Sequence, residues 1–140
     1  MKILLDTNVI LDAVAARKPW NAEAEQVFFL AANNMVEAFI TASSATDLYY
    51  LIRKHLHSHE EAKKVMAKLY DLFGILDVTQ EDCTNALHSD MKDYEDAVAA
   101  QSAFRKGMEY IVTRNMSDYR QSAVEAVDPE ALLNMIQSLV

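Results

Sequence analysis

The stretch that decides the fold is Lys2-Ile3-Leu4-Leu5-Asp6-Thr7-Asn8. Its three consecutive apolar residues predict a strand that is buried on both faces, as in the centre of a parallel sheet. Asp6 follows at the carboxyl end of that strand, where open α/β sheets bind ligands. Thr7 and Asn8 are predicted to cap the next helix. The alternative is that Asp6 merely caps this helix, but acids recur at comparable junctions later in the chain.

Strand-like and helix-like segments alternate through the rest of the chain. Further strands are predicted at residues 36–40, 75–78, 110–112 and 124–127. Helical periodicity marks residues 21–32, 44–55, 58–73, 79–88, 94–106 and a last helix from 129 onward. Short strands joined by helical crossovers indicate a parallel α/β sheet with right-handed connections. The carboxyl ends of all its strands then lie on one side of the molecule.

Composition indicates one globular domain spanning residues 1–140. The chain has 140 residues, of which 51% are hydrophobic, which is enough for a substantial core. Its one cysteine, Cys83, cannot form an internal disulfide, and the sequence shows neither a signal peptide nor an apolar run of membrane-spanning length. These features predict a cytoplasmic protein with no membrane partner.

The charge balance argues against a protein that attracts nucleic acid by bulk electrostatics. Thirteen Lys and Arg against 21 Asp and Glu give a net charge of −8. Nucleic-acid binders are usually basic. A local basic rim around an acidic, metal-filled centre remains compatible with this composition.

Four acidic segments fall at strand ends or helix starts: Asp6, Asp47, Asp93-Tyr94-Glu95-Asp96 and Asp118. Carboxylates gathered without a basic partner repel one another. A hard divalent cation resolves the conflict, since Mg²⁺ and Mn²⁺ prefer oxygen ligands and carry out phosphoryl chemistry. The pattern therefore indicates metal-assisted phosphoryl chemistry.

Helix capping is the alternative explanation for the same acids. Asp47 and Asp93 are the two most easily explained in this way, because helix N-termini favour negative charge. Ser44 and Asp47 also have the spacing of a capping box. From spacing alone, the two explanations stand level.

Three motifs resemble those of one enzyme family. Residues 4–12, LLDTNVILD, look like the opening motif of PIN-domain ribonucleases. Residues 93–100, DYEDAVAA, and 111–119, IVTRNMSDY, resemble that family's third and fourth acidic motifs, in the same order. The likeness is greatest to small stand-alone bacterial PIN proteins of the VapC toxin type. It implies a three-layer α/β/α sandwich around a mostly parallel sheet of about five short strands.

The resemblance also implies an activity, cofactors and partners. It predicts a ribonuclease dependent on Mg²⁺ or Mn²⁺, with one or two ions, that cuts phosphodiester bonds in RNA with activated water. It further predicts that the protein is the toxin of a toxin–antitoxin pair, with an antitoxin partner and a homodimeric state.

Site residues carry over by position. The predicted catalytic residues are Asp6, Asp47, Asp96 and Asp118. Of these, Asp6, Asp96 and Asp118 are predicted to ligate the metal, directly or through water. The predicted supporting residues are Asp93, Asn115, Thr7 and Asn8. Arg114, beside the acids, is the predicted phosphate contact.

One departure from the family pattern leaves a second hypothesis open. The family's second acid is commonly Glu, whereas the matching position here is Asp47, one methylene shorter. A direct metal contact there would become a water-mediated one. The alternative function is therefore a catalytically weak or inactive PIN-like module that binds protein or RNA.

Two other interpretations are disfavoured. A phospho-accepting receiver or an aspartyl-phosphate phosphatase would place a Lys after a late strand, and this chain has Thr113-Arg114-Asn115 there. Tyr49 and Tyr50 could stack bases, but their place in an apolar helical stripe favours packing in the core or in a dimer.

Overall fold

A five-stranded parallel sheet forms the centre of the molecule, in the order β3-β2-β1-β4-β5. The computed structural model describes residues 1–139. The strands are β1 (Lys2–Leu5), β2 (Glu37–Thr41), β3 (Gly74–Leu76), β4 (Tyr110–Val112) and β5 (Glu125–Val127). β1 pairs in parallel with both β2 and β4, which confirms the predicted central strand.

The strands are buried on both faces because alternate side chains enter two different cores. Ile3 and Leu5 pack into the larger apolar cluster, whereas Leu4 packs into a second cluster on the opposite face. On β4, Val112 and Ile111 divide in the same way. Covering both faces with helices produces the predicted three-layer α/β/α arrangement.

Seven helices flank the sheet in the described chain. They are α1 (Thr7–Val14), α2 (Asn21–Ala32), α3 (Ala42–Leu56), α4 (His59–Leu72), α5 (Gln80–Leu87), α6 (Tyr94–Arg105) and α7 (Pro129–Ser138). The larger cluster takes apolar side chains from α1 to α4 and α7, and the second takes Ala100 and Ala103 from α6. Among residues 1–139, no helix combines the length and hydrophobicity needed to cross a membrane.

Most helix starts follow the predicted capping chemistry. Ser58, Asp93 and Asp128 each accept a hydrogen bond from a backbone N–H in the first turn of the helix that follows. At α5, Thr79 forms a reciprocal capping box with Asp82. These caps satisfy amide groups that a helix start otherwise leaves without a partner.

Two predicted caps are wrong. Thr7 and Asn8 lie inside α1, whose N-cap position is Asp6. Ser44 does not form a capping box with Asp47, because α3 begins two residues before it and Thr41 is the cap. The Thr41 hydroxyl oxygen accepts a hydrogen bond from the Ser44 N–H at 3.2 Å. In both helices the N-cap position belongs to the residue that directly precedes the helix.

Gly74 serves close packing between strands and does not adopt the left-handed conformation that is typical of a glycine at the end of a helix. It is the first residue of β3, and a Cβ atom there would lie 2.6 Å from the Phe39 ring. Gly107 does adopt the left-handed conformation, with φ of 72°, directly after α6 and its C-cap residue Lys106.

Candidate active site

Six carboxylates line one cavity of about 500 Å³ at the carboxyl edge of the sheet. They come from the segments after β1, β2 and β4 and from the start of α6, and they are Asp6, Asp47, Asp93, Glu95, Asp96 and Asp118. Within residues 1–139, no Lys, Arg or His side chain joins this lining. The cavity therefore concentrates negative charge with no basic residue in its wall.

Asp6 reaches the cavity through the register of β1 and β4. Its N–H donates to the Val112 carbonyl at 3.0 Å, which places it beside Thr113. The Thr113 hydroxyl, fully buried, donates to Asp6 Oδ2 at 2.8 Å. Although Asp6 occupies the N-cap position of α1, its side chain makes no capping hydrogen bond. The interpretation of Asp6 as a mere cap is therefore wrong.

Burial is the main influence on the Asp6 carboxyl, and it raises the pKa of that group. The hydrogen bond from Thr113 lowers the pKa, and the negative charge of Asp118 raises it. Thr113 is held in turn, since its Oγ1 accepts a hydrogen bond from the Asn115 N–H at 3.0 Å. The Thr113 hydrogen bond thus fixes the orientation of the Asp6 carboxyl, while burial and Asp118 disfavour its charged form.

Asp96 is the acid whose protonation the site alters most clearly. Burial raises its pKa to about 6, and the charges of Asp93, Asp6 and Asp118 add to the rise. The Tyr119 hydroxyl donates to Asp96 Oδ1 at 3.1 Å and partly offsets it. Asp93 has a separate part, because its Oδ1 accepts the Asp96 N–H at 2.9 Å as the cap of α6.

Tyr119 is a site residue that the sequence analysis missed. Only 4% of its surface is exposed, and burial together with nearby carboxylates raises the pKa of its phenol. Tyr119 therefore stays protonated and acts as a hydrogen-bond donor. Its position directly after Asp118 was the available signal, but an apolar role in the core was equally compatible with the sequence.

Asp47 faces Glu95 across the cavity. The sequence places Asp47 in the first turn of its helix. In the structure Asp47 lies beyond the first turn of α3, and Thr41 caps the helix. A hydrogen bond shared with Asp47 raises the pKa of Glu95, and the charge of Asp47 raises it further. Two carboxyl groups from α3 and the start of α6 are therefore close enough to influence each other's ionisation. Glu95 was named among the acids of the sequence but not among the site residues.

Arg114 does not contact the cavity, which differs from its predicted role as a phosphate contact. Its Nε donates to Asp12 Oδ2 at 2.6 Å and its Nη2 donates to Asp12 Oδ1 at 3.2 Å. The guanidinium also lies 3.9 Å from the centre of the Trp20 ring. Because Asp12 is only 1% exposed, this pair serves the core of the protein. The sequence offered no sign that Asp12 turns inward.

The remaining predicted site residues are brought together. Thr7, Asn8 and Asn115 lie in the cavity wall with the acids. They add hydroxyl and amide groups to a surface that otherwise carries carboxylates. The topology therefore gathers residues from four separate segments at one edge of the sheet.

The donor set fits a hard divalent cation that keeps most of its own water. Among residues 1–139, no group of three or more His, Cys, Asp or Glu side chains is arranged to hold a metal ion by itself. Mg²⁺ is ordinarily bound by one or two carboxylates together with waters and substrate phosphate. Asp6, Asp96 and Asp118 supply oxygen ligands of this kind, and their mutual repulsion gives a cation a stabilising role. The direct or water-mediated role of each stays a prediction.

Comparisons with known proteins agree on the fold. The solved structure of VapBC2 from Rickettsia felis, bound to a DNA fragment from its promoter, matches with a TM-score of 0.66 and 16% identity, over 91% of this chain and 98% of that chain. A toxin–antitoxin complex from Klebsiella pneumoniae matches with a TM-score of 0.65 and 22% identity, over 91% and 97%. The sarcin–ricin loop cleaving toxin VapC20 from Mycobacterium tuberculosis matches with 0.65 and 15%, over 88% and 98%.

The sequence comparison is more specific. No curated protein matches the chain in sequence. The family model described as PIN domain matches residues 2–117, which include β1 to β4 and all six cavity acids except Asp118. Because this match covers most of the 140 residues, the chain belongs to the PIN-domain family.

Proposed function

We propose that this protein is a divalent-metal-dependent endoribonuclease and the toxin of a toxin–antitoxin pair. The observation that carries the proposal is the cavity of six carboxylates, without a basic side chain from the described chain, at the carboxyl edge of a PIN-domain sheet. Such a wall is unfavourable unless a cation enters it. Bound Mg²⁺ or Mn²⁺ supplies an activated water and neutralises charge on the phosphoryl group.

Asp6, Asp96 and Asp118 are the residues proposed to hold the metal. Thr113 orients Asp6 through Oδ2, and Tyr119 orients Asp96 through Oδ1. Each hydrogen bond holds one oxygen of its carboxylate, and both residues line the cavity. Fixed carboxylates keep their geometry as charge develops, which is how a preorganised site lowers a barrier.

The Asp47 and Glu95 pair is proposed to handle a proton. Both acids line the cavity, and the nearby Asp47 carboxylate raises the pKa of Glu95. A carboxyl with a raised pKa can donate to a leaving oxygen, and its partner can accept from water. Asn8 and Asn115 in the wall are proposed to orient the substrate through their amide groups.

The partners follow from the same proposal. RNA is the substrate, a cognate antitoxin protein is the regulator, and the protein forms a homodimer in the cytoplasm. The solved structures of similar fold include toxin–antitoxin complexes, which supports an antitoxin partner. RNA cleavage is supported by one structural neighbour, which is a sarcin–ricin loop cleaving toxin.

A second candidate function is an inactive interaction module with this fold. It is favoured by Asp47, where the family commonly has Glu, and by the absence from residues 1–139 of a three-residue metal cluster. Cleavage of mixed RNA substrates with Mn²⁺, with Mg²⁺ or with EDTA distinguishes the two functions.

The variant Asp118→Asn and its control Asp71→Asn sharpen the experiment. Asp118 lies in the cavity, whereas Asp71 is an exposed acid on α4 outside it. We expect the parent protein to cleave RNA only when Mn²⁺ or Mg²⁺ is present. The rate of cleavage should fall by orders of magnitude in Asp118→Asn and stay unchanged in Asp71→Asn. Folded protein that cleaves no RNA with either metal would support the inactive module instead.

A further inference from the structure

An exposed aromatic ring stands at the rim of the acidic cavity. Tyr50 lines the same cavity as the six acids and is 60% exposed. The core side of α3 is filled by Leu48 and Ile52, both fully buried, so Tyr50 is not a core residue. The sequence favours packing of Tyr49 and Tyr50 in the core or in a dimer. Packing in the core is wrong for Tyr50, whereas the half-buried Tyr49 does pack against the larger apolar cluster.

The Tyr50 ring is supported from behind by an anchored neighbour. Its centroid lies 5.4 Å from that of Tyr49, with the two rings at 76°. The Tyr49 hydroxyl forms a 2.7 Å hydrogen bond with His59 Nδ1 at the start of α4. Tyr49 is thereby tied to a second helix, and its edge contact restricts the orientation of Tyr50.

The chemistry of the wall limits what can draw RNA into the cavity. No cationic side chain of residues 1–139 lines it, and Arg114 is engaged with Asp12. The phosphate backbone is therefore repelled by the wall except where a metal ion intervenes. The bases offer a large surface whose contact with the protein does not depend on the phosphates. Aromatic side chains stack on unpaired bases with little dependence on sequence.

We propose that Tyr50 stacks on an unpaired nucleobase next to the phosphodiester that enters the cavity. This inference rests on the proposed ribonuclease function and adds a residue that positions the substrate at its site. In a duplex, the base would be stacked between its neighbours and unable to use the ring. Leu51, also in the cavity wall and 40% exposed, extends the apolar surface beside the base.

The test compares Tyr50→Ala and Tyr50→Phe with Tyr70→Ala. Tyr70 is a tyrosine of similar exposure, 45%, on α4 outside the cavity. Binding of an unstructured fluorescent RNA oligonucleotide is measured with Ca²⁺ as the oxygen-ligating cation, and the RNA is checked to be intact afterwards. A second oligonucleotide of the same length carries abasic nucleotides. Melting temperatures establish that each variant is folded.

We expect Tyr50→Ala to weaken binding of the base-containing RNA by about 5- to 150-fold, the range measured for single base–aromatic stacks. Its effect on the abasic RNA is expected to be within about twofold, because there is no base to stack. Tyr50→Phe retains the ring face and should bind like the parent protein. Tyr70→Ala should leave binding of both oligonucleotides unchanged.

Equal weakening of both oligonucleotides by Tyr50→Ala, or no weakening of either, would overturn the proposal. A Tyr50→Ala protein that changes only from dimer to monomer, with RNA affinity intact, would assign the ring to a second copy and overturn it too. The proposed function fails separately. If RNA binds through Tyr50 but is not cut with Mn²⁺ or Mg²⁺, stacking holds and the ribonuclease assignment does not.

Discussion

At the scale of single residues, Asp6 carries a charge that the folded protein opposes. It is half-buried, and the neighbouring Asp118 carries the same charge. Asp6→Asn removes the charge and keeps an oxygen to accept the Thr113 hydrogen bond. Without metal at neutral pH, we expect this variant to melt at or above the temperature of the parent protein.

Added metal should reverse the order of the melting temperatures, so that the parent protein melts above Asp6→Asn. Mn²⁺ at about 100 times its dissociation constant should stabilise the parent by roughly 2.7 kcal/mol. It should stabilise Asp6→Asn much less, and RNA cleavage should fall by orders of magnitude. Thermal melts with and without Mn²⁺ measure both effects. Equal stabilisation of both proteins, with cleavage intact, would remove Asp6 from the metal site.

The raised pKa of Asp96 leads to a prediction about how stability depends on pH. The pKa of Asp96, about 6, is above the ordinary value of 3.8, so the folded protein binds this proton more tightly than the unfolded chain. Its contribution to stability is therefore largest below pH 3.8 and is lost as pH rises through 6. Because the site is partly solvated, the loss in the metal-free protein should be about 1–2 kcal/mol.

The variant Tyr119→Phe tests the hydrogen bond from the Tyr119 hydroxyl to Asp96. Removing the hydroxyl that stabilises the charged form should raise the pKa of Asp96, by about one unit for a hydrogen bond to a charged group. The acidic limb of the cleavage profile should move to higher pH by the same amount. A purely structural hydroxyl would lower the melting temperature and leave the position of that limb unchanged.

Arg114 stabilises the fold through Asp12, and this contribution can be measured separately from any contact with phosphate. Arg114→Ala would leave the buried Asp12 carboxylate without its bidentate partner and with only Arg17, whose Nη1 lies 3.7 Å from Asp12 Oδ1. We expect a loss of up to about 3–5 kcal/mol in the free energy of unfolding. Removing both charges with Arg114→Met and Asp12→Leu should restore much of that loss. Denaturant unfolding of the single and double variants checks this, and an unchanged Arg114→Ala stability would contradict it.

At the scale of the helix, α3 separates capping from function. Thr41 caps it and Asp47 does not. Thr41→Ala should therefore lower the free energy of unfolding by about 1 kcal/mol. Asp47→Ala should not lower it, because Asp47 makes no capping contact, but it should lower the rate of RNA cleavage. Asp47→Glu should keep or raise that rate. A stability loss in Asp47→Ala equal to that in Thr41→Ala would mark Asp47 as a capping residue.

Local patterns predicted which elements form but not every interaction at their ends. The strand Lys2–Leu5 and the helix caps at Ser58, Asp93 and Asp128 follow from short-range rules of burial and hydrogen bonding. Gly74 does not, because its reason is the Phe39 ring of a neighbouring strand. A contact between segments that are distant in sequence leaves no trace in either segment alone.

The site shows the same division. Strand-end placement and motif order predicted that the acids and asparagines lie close together, because parallel strands share a carboxyl edge, and they do line one cavity. The partners of those acids were not visible in advance. Thr113 meets Asp6 across 107 positions and Arg114 meets Asp12 across 102, so only the fold decides these pairs.

At the scale of the whole molecule, the two apolar clusters share one sheet. Ile3 and Leu5 belong to one cluster, and Leu4 between them belongs to the other. Neither layer of helices can leave without exposing a face of the same strands. We therefore propose that the chain is one domain, and we expect its thermal unfolding to be a single cooperative transition.

Two probes and two core variants test this coupling. Fluorescence of Trp20, the one tryptophan, reports on one part of the chain, and far-ultraviolet circular dichroism reports on all helices. Leu132→Ala opens a cavity in the larger cluster and should remove about 2–5 kcal/mol, whereas Ile111→Val in the second cluster should remove about 0.5–1.5 kcal/mol. In each variant both probes should shift together, because each cluster stabilises the strands that the other needs. A variant in which one probe moves and the other stays would divide the chain into separately folding parts.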